Sequence, residues 1–487
     1  MRAGVTYAAC AVLLGGATVL AFFTGGYFDE PRAWAGLVAW ALVAVALIAE
    51  PRTMPRSRGW WLAVGGLALL GAWTLLSMIS APIAGNAYHA GQIVLLYSGV
   101  LLAAALLLRA SAAQRSVEPV LAAGALVVIG YGISERLLPG LLHFARSVSA
   151  QGRLEQPLTY WNAMGEIAAL GFVLSARIAG DPERPRPLRA GAAAAAAPLG
   201  MGLYLSFSRG ALFACAAGLV ALIVAAPRRA QLEAILVSIG AGVLASLAAA
   251  PFKGLTSLAG ALSTRERQGA IALVLLALIA GCAAAVQLYL ARRESTAALR
   301  LPSHAGWAAL VVICAGQALA IALGAKEGTT TPLSAGASRY VTLQSNRYAY
   351  WRVALRAFGH EPLRGVGAGG WSVWWLRYRP FDDFAQDAHS LPLQTLAELG
   401  LIGIALLAAF FGGVALAARD AHRRAAGLAA GPIAGCVAYA AHAPLDWDWQ
   451  MPAVTIVAMV LAGALLALGD FSWRPRARAP TAMPDAP

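Results

Sequence analysis

The side chains in this chain best suited to gripping an anion and moving a proton are a few arginines and one histidine. They fall in short blocks between long apolar runs. Ser206-Phe207-Ser208-Arg209-Gly210 interrupts an apolar stretch, 192–226, that is too long for one membrane span, so Arg209 belongs at a tight turn between two helices. Snorkelling to the interface is the plainer reading of such an arginine. Further on, Tyr348, Trp351, Leu355 and Phe358 recur at helical spacing and predict an amphipathic helix lying on a membrane surface. Arg352 and Arg356 share a neighbouring face of it. Like charges one turn apart repel, so either an anion sits between them or the face is solvated against lipid phosphates.

The segment Pro362 to Trp371 holds Gly365, Gly367, Gly369 and Gly370 and can bring backbone N–H groups up to an oxyanion. Its alternative is a flexible loop ahead of an interfacial cluster, Trp371, Trp374 and Trp375. No strand–turn–helix unit surrounds it, which excludes a dinucleotide fold. His389 follows, with Ser390 as N-cap and Pro392 in the first turn of a helix that enters the membrane. A helix N-terminus with arginines nearby keeps imidazole neutral near pH 7, the form a general base needs, although an interface histidine is more often structural. Gln394 and Glu398, at i,i+4 on that helix, set a carboxylate inside the hydrocarbon boundary, where it is costly and faces a cavity or a partner. Arg153, in the stretch from Gly152 to Asn162, leads into a further span on the same side.

The elements that must position these blocks are membrane helices. Of 487 residues 59% are hydrophobic and 12% charged, and the mean hydropathy is +0.66. A soluble protein carries roughly a quarter charged residues, so most of this surface faces lipid. Apolar runs of spanning length lie near 7–27, 33–49, 60–81, 91–108, 117–134, 159–176, 190–207, 210–226, 232–250, 270–290, 305–324, 393–418, 428–443 and 451–469. The expected fold class is therefore an all-α polytopic membrane protein with about fourteen spans, twelve at the least.

Arginine-rich short loops stay cytoplasmic, and they alternate consistently if the N-terminus is inside: Arg2, Arg52/Arg56/Arg58, Arg109/Arg115, Arg177 to Arg189, Arg228/Arg229, Arg292/Arg293/Arg300, Arg419/Arg423/Arg424 and Arg474 to Arg478. The net charge of +14 is then mostly a topology signal, with no basic domain to grip nucleic acid. On this assignment the blocks above all fall outside. The longest connection, 325–388, is extracytoplasmic and carries Lys326, Arg339, Arg347, Arg352, Arg356, Arg364, Arg377 and Arg379 against Glu327, Glu361, Asp382, Asp383 and Asp387. The organisation expected is N-terminal spans in 1–134, a central region with the Arg209 turn in 135–324, the loop 325–388, C-terminal spans in 389–469 and a disordered cytoplasmic tail in 470–487. Residues 2–27 read as an uncleaved first span. Cys10, Cys215, Cys282, Cys314 and Cys436 all lie in apolar runs without metal-ligand spacing, so neither a disulfide scaffold nor a zinc site is expected.

Three of these blocks together resemble the O-antigen ligase and polymerase-like proteins of bacterial surface-polysaccharide assembly. Ser208-Arg209-Gly210 is similar to that family's arginine turn. Arg347 ahead of Trp351, Pro362-Leu363 and Gly365-Val366-Gly367 resembles its loop arginine. Ala388-His389-Ser390, with Leu393, Gln394, Glu398-Leu399-Gly400-Leu401 and Gly403, resembles its histidine motif, although that family more often has Asn where Ser390 stands. The segment from Arg153 to Asn162 resembles a weaker block.

The resemblance implies a bacterial inner-membrane enzyme with a bundle of the membrane glycosyltransferase (GT-C) type. It implies inverting glycan transfer from an undecaprenyl-diphosphate-linked donor to a glycan, lipid or wall-polymer acceptor, without metal or cofactor. By the same resemblance His389 is the base, Arg209 and Arg347 bind the diphosphate, Arg153, Arg352, Arg356, Gln394 and Glu398 support substrate, and Glu398 or Asp387 orients the imidazole. Ligase and polymerase stay open alternatives. So does a metal-dependent glycosyltransferase, because Asp446-Trp447-Asp448 spells DxD and Asp29-Glu30 sits in the first outer loop. An anion transporter is the reading from another class, although no second copy of the Arg209 or His389 block marks the repeated halves common in transporters.

Overall fold

The computed structural model describes residues 2–49, 55, 57–293, 297–324, 340 and 345–470. Arg52 and Arg56 of the first basic loop, Lys326, Glu327 and Arg339 of the long connection, and the tail from Trp473 lie outside the described residues. Regular structure among them is helical: α1 (Arg2–Ala21), α2 (Asp29–Ala49), α3 (Arg58–Leu76), α4 (Ala84–Leu107), α5 (Ser111–Leu137), α6 (Trp161–Gly180), α7 (Arg186–Leu205), α8 (Arg209–Ala225), α9 (Arg229–Ala249), the short α10 (Lys253–Thr256), α11 (Leu262–Arg292), α12 (Ala305–Gly324), α13 (Arg347–His360), α14 (Trp371–Tyr378), α15 (Leu391–His442) and α16 (Pro452–Gly469).

Every apolar run read from the sequence coincides with a helix. By length and apolarity, however, ten of the described helices qualify to cross a membrane, fewer than expected. The difference has local causes. Two of the expected spans lie within α15, one on each side of a break at Ala425 (φ −149°, ψ 59°), α8 and Ala305–Leu319 of α12 are apolar but shorter, and α7 is rich in alanine with arginines in its first turns. Helices apolar on all sides belong at the centre of a bundle, and α6 and α16 are buried throughout. Those with one lipid face, such as α1, α2, α9 and α11, expose leucines and valines outward, among them Leu37, Leu47, Leu247 and Leu278.

One break in this framework shapes the site. At Gly400 (φ 65°, ψ −160°) α15 leaves helical geometry in a region that only glycine occupies comfortably, which frees backbone groups inside the bundle. The glycine-rich segment meets them. Val366 N–H donates to the Ala397 carbonyl (3.0 Å) and Gly367 N–H to that of Glu398 (2.9 Å), while Leu401 N–H donates back to the Pro362 carbonyl (2.9 Å). The Leu399 carbonyl accepts from the Trp73 indole at 3.1 Å.

Arg177, Arg184 and Arg189 gather at the end of the bundle where α6 finishes and α7 begins. Glu118 of α5, 2% exposed, lies 2.9 Å from Arg184 and 3.7 Å from Arg177. Arg177 also donates to the Gly427 carbonyl (2.6 Å), so this network ties α5, α6 and α15 together. Removing one partner of a buried pair leaves an uncompensated charge and costs about 3–5 kcal/mol. Glu118→Ala is therefore expected to lower the unfolding temperature in detergent well below that of the parent protein, and an unchanged melt would show that the network contributes nothing net.

Candidate functional site

At the opposite end of the bundle, where α6, α8 and α16 start and α1 and α7 finish, lies a cavity of about 800 Å³. It brings together Arg153, Arg209, Arg347 and His389, which come from separate blocks of the sequence. Each is fixed by local chemistry.

Arg209 opens α8. The Ser208 hydroxyl accepts from Ala211 N–H (3.2 Å) as the N-cap, and Phe207 before it takes φ 49° to complete the turn. Position 210 must be glycine, because a Cβ there would lie 2.8 Å from His442 Nε2. Arg153 is buried: its Nε donates to the Ala150 carbonyl (2.8 Å), one Nη to that of Ser149 (2.6 Å), and its guanidinium stacks 3.6 Å from the centre of the Trp161 ring. Arg347, the first residue of α13, pairs with the fully buried Asp446 at 2.5 Å. The other oxygen of Asp446 accepts from Tyr160 Oη (2.7 Å), whose oxygen in turn accepts from Asn162 Nδ2 (2.7 Å). Burial opposes ionisation of Asp446, but the Arg347 charge prevails and holds its carboxyl below the usual value.

His389 sits at φ 52°, a left-handed conformation that is uncommon for a side-chain-bearing residue. Its Nδ1 lies 2.9 Å from the Asp387 carbonyl oxygen. A carbonyl only accepts, so Nδ1 carries the proton and Nε2 keeps its lone pair. Burial lowers the imidazole pKa and Arg347 adds to that, against the opposing pull of Asp446. The neutral form therefore persists at neutral pH. Tyr350 and Trp447 flank the ring, with centroids 5.2 and 6.0 Å away.

Backbone strain concentrates around this cavity. Among the described residues, the side-chain-bearing positions with positive φ are Thr24, Gln151, Thr159, Phe207, Leu258 and His389, and all but Leu258 line it. Such conformations persist where the surroundings over-determine them, and they cluster at functional sites.

Other candidates read from the sequence lie elsewhere. The buried face of α13 is Ala349, Tyr350, Val353, Ala354 and Ala357 together with Trp351, packed on α15 and α14, whereas Leu355 is exposed. Of the stripe read from the sequence, Trp351 is buried and Tyr348 packs against the same cluster, so the helix packs on protein along one side of that stripe, through Tyr350, Trp351 and a row of small residues. Arg352 and Arg356 are on the exposed side and do not line the cavity; the Arg356 guanidinium stacks 3.9 Å from the Tyr378 ring centre. Gln394 and Glu398 also lie off it. Gln394 donates to the Asp387 carboxylate (2.9 Å), and Glu398 accepts from Trp371 N–H (3.3 Å), so they hold the loop ends. Asp387 orients the imidazole through its backbone, and Glu398 does not contact it. Of the N–H groups expected to face an oxyanion, those of Val366 and Gly367 are spent on the broken helix, those of Gly365 and Gly370 on the Glu361 and Gly367 carbonyls, and that of Ala368 on the Ser77 hydroxyl.

Asp446 was legible only as half of a DxD pair. Its partner Arg347 lies 99 residues away and Tyr160 lies 286 away, separations that no local pattern reveals. Asp448 is bound to His442, with Glu166 3.8 Å from that ring, so the two DxD carboxylates are each engaged by a different side chain. Among the described residues no group of three or more His, Cys, Asp or Glu is arranged to hold a metal ion. Tyr27, from the first loop, also lines the cavity, and only its glycine-aromatic setting hinted at a built turn.

Chemically the arrangement offers guanidinium groups for a di-anion beside a neutral imidazole with one free lone pair. Residues 252–408 match the family described as O-antigen ligase. The matched stretch is thus O-antigen ligase-like, and it contains Arg347 and His389, whereas Arg153 and Arg209 reach the same cavity from outside it, and Asp446, also outside it, is buried behind the cavity against Arg347. No curated protein matches the chain.

Proposed function

We propose that this protein transfers a glycan from an undecaprenyl-diphosphate-linked donor to an acceptor hydroxyl at the extracytoplasmic face of a bacterial plasma membrane. The observation that carries the reading is the convergence of Arg153, Arg209, Arg347 and His389 on one cavity, two of them from within the O-antigen ligase-like stretch and two from outside it. Sidedness supports it as well: the arginine-rich short connections Arg109/Arg115, Arg177 to Arg189 and Arg228/Arg229 all lie at the end of the bundle away from the cavity, as the positive-inside rule requires of an outward-facing site.

In the proposed reaction the acceptor oxygen attacks the anomeric carbon and its proton passes to His389 Nε2. The bond from the anomeric carbon to the diphosphate oxygen breaks, its electron pair leaves with undecaprenyl diphosphate, and the configuration at carbon inverts. Arg209 and Arg347 neutralise the charge that develops on the leaving diphosphate, work that otherwise falls to a divalent cation. Arg153, held flat on Trp161, is a further contact for the donor. A cation at Asp446 and Asp448 would have to displace Arg347 and His442 from them.

The test is turnover by the purified protein in nanodiscs, with a polyprenyl-diphosphate glycan and a glycan acceptor, with and without EDTA. The expected result is adduct formation with release of undecaprenyl diphosphate at the same rate in chelator. Loss in EDTA with rescue by Mg²⁺ or Mn²⁺ overturns the arginine mechanism, and no adduct with any lipid-linked donor overturns the function.

A further inference from the structure

A second cavity, of about 630 Å³, lies between α1 and α2 and is closed at the back by Val100 of α4 and Ile456 of α16. Its walls are apolar except for Glu30 at the mouth. From Ala11 to Phe23 it follows the chain for about 18 Å at the helical rise. Gly15 and Gly16 make the room: a Cβ built on either meets nothing within 4 Å.

Two elements lead from this groove into the arginine cavity. The turn joining α1 to α2 contributes Phe23 to the groove and Thr24, Tyr27 and Phe28 to the cavity, and the first turn of α2 adds Glu30 and Pro31 to the groove. The chain entering α16 contributes Met451 to the cavity and, little more than a turn later, Ile456 to the groove. Charge separates the two volumes. No arginine or lysine lines the groove among the described residues, and its mouth carries Glu30 beside Asp29, to which the buried Arg32 is already bound. An ordinary phospholipid seated here would bring its phosphate to a carboxylate-bearing mouth. A longer amphiphile whose anionic head reaches past the turn meets Arg153, Arg209 and Arg347.

We propose that this groove takes the isoprenoid chain of a polyprenyl diphosphate whose head occupies the arginine cavity; the inference rests on the donor reading above. It explains why a helix with an exposed face keeps adjacent glycines where lipid-facing helices carry leucine. The occupant is an unsaturated chain running down the α1–α2 seam toward the bilayer centre.

The experiment has a kinetic arm and a binding arm. The variant Gly15→Leu/Gly16→Leu fills the groove, and Gly36→Leu on α2, equally open but outside it, is the control. With an undecaprenyl-linked donor the double variant is expected to raise KM about tenfold, the scale of one buried leucine-sized contact, and to leave a short-chain prenyl donor of the same glycan unaffected. Equal losses on both donors, or the same loss in Gly36→Leu, overturn the groove. In the binding arm, undecaprenyl diphosphate without glycan, bearing a diazirine on its chain, is cross-linked to the parent protein. Labelling of α1 between Ala11 and Val19 that a diazirine phospholipid does not reproduce supports the proposal, even if no glycan transfer is found. Labelling elsewhere, or identical labelling by the phospholipid, overturns it.

Discussion

His389→Ala is expected to lower glycan transfer by about 10²- to 10⁴-fold, the range that general-base catalysis contributes, and to leave donor affinity near that of the parent protein. The imidazole lines an open cavity and is held mainly by the Asp387 carbonyl and two flanking rings, so its removal leaves little void and no unpaired buried charge. The same geometry sets a pH dependence. Burial and Arg347 hold the imidazole pKa below the ordinary 6.5. The neutral base therefore survives to lower pH than usual, and the rate falls only as pH drops through that lowered value. The acid limb of the transfer rate is thus expected below pH 6.5 and to disappear in His389→Ala. Asp387, whose carboxyl is lifted by burial to about 6, titrates nearby. Its backbone holds the imidazole, so Asp387→Asn should keep the limb. Near-parent transfer by His389→Ala in a single-turnover assay would show the histidine to be structural.

What the sequence displayed and what it hid follow different physics. Apolar runs of spanning length are forced by the bilayer, which accepts no unpaired backbone, so every one of them became a helix. Arg209 and His389 were legible because each interrupts or opens an apolar run, where a polar side chain is too costly to be incidental. The loop was read less well. Its aromatic spacing suggested a helix on a membrane surface, but α13 packs on protein through Trp351 of that stripe together with Ala349, Val353, Ala354 and Ala357, and alanine gives a weak apolar signal. The glycine-rich segment looked like an anion cradle because the break at Gly400, the partner that consumes its amides, is a conformational event marked by a single glycine. Glu398, costly inside the boundary, did find a partner, but that partner is the Trp371 amide and not a substrate.

The ion pair beneath the cavity separates binding from positioning and carries the second large effect. In Arg347→Lys the ammonium can still reach Asp446, whose buried carboxylate stays paired, so the fold is expected to hold. A lysine cannot present a planar fork that spends one edge on Asp446 and offers the other to a phosphate oxygen. Transfer should fall about 10²- to 10³-fold, the cost of losing one preorganised donor to developing charge, with donor binding weakened in parallel. Asp446→Asn should differ in kind. It removes a negative charge from beside a di-anion site, which favours donor binding, while freeing the guanidinium from the 2.5 Å contact and leaving Tyr160 with a weaker acceptor. Its expected signature is unchanged or tighter donor affinity with a loss confined to the chemical step. Donor titration alongside single-turnover transfer on both variants decides the matter: if Arg347→Lys binds donor as tightly as the parent and transfers at the parent rate, the arginine serves only to neutralise Asp446, and the diphosphate must be held by Arg153 and Arg209.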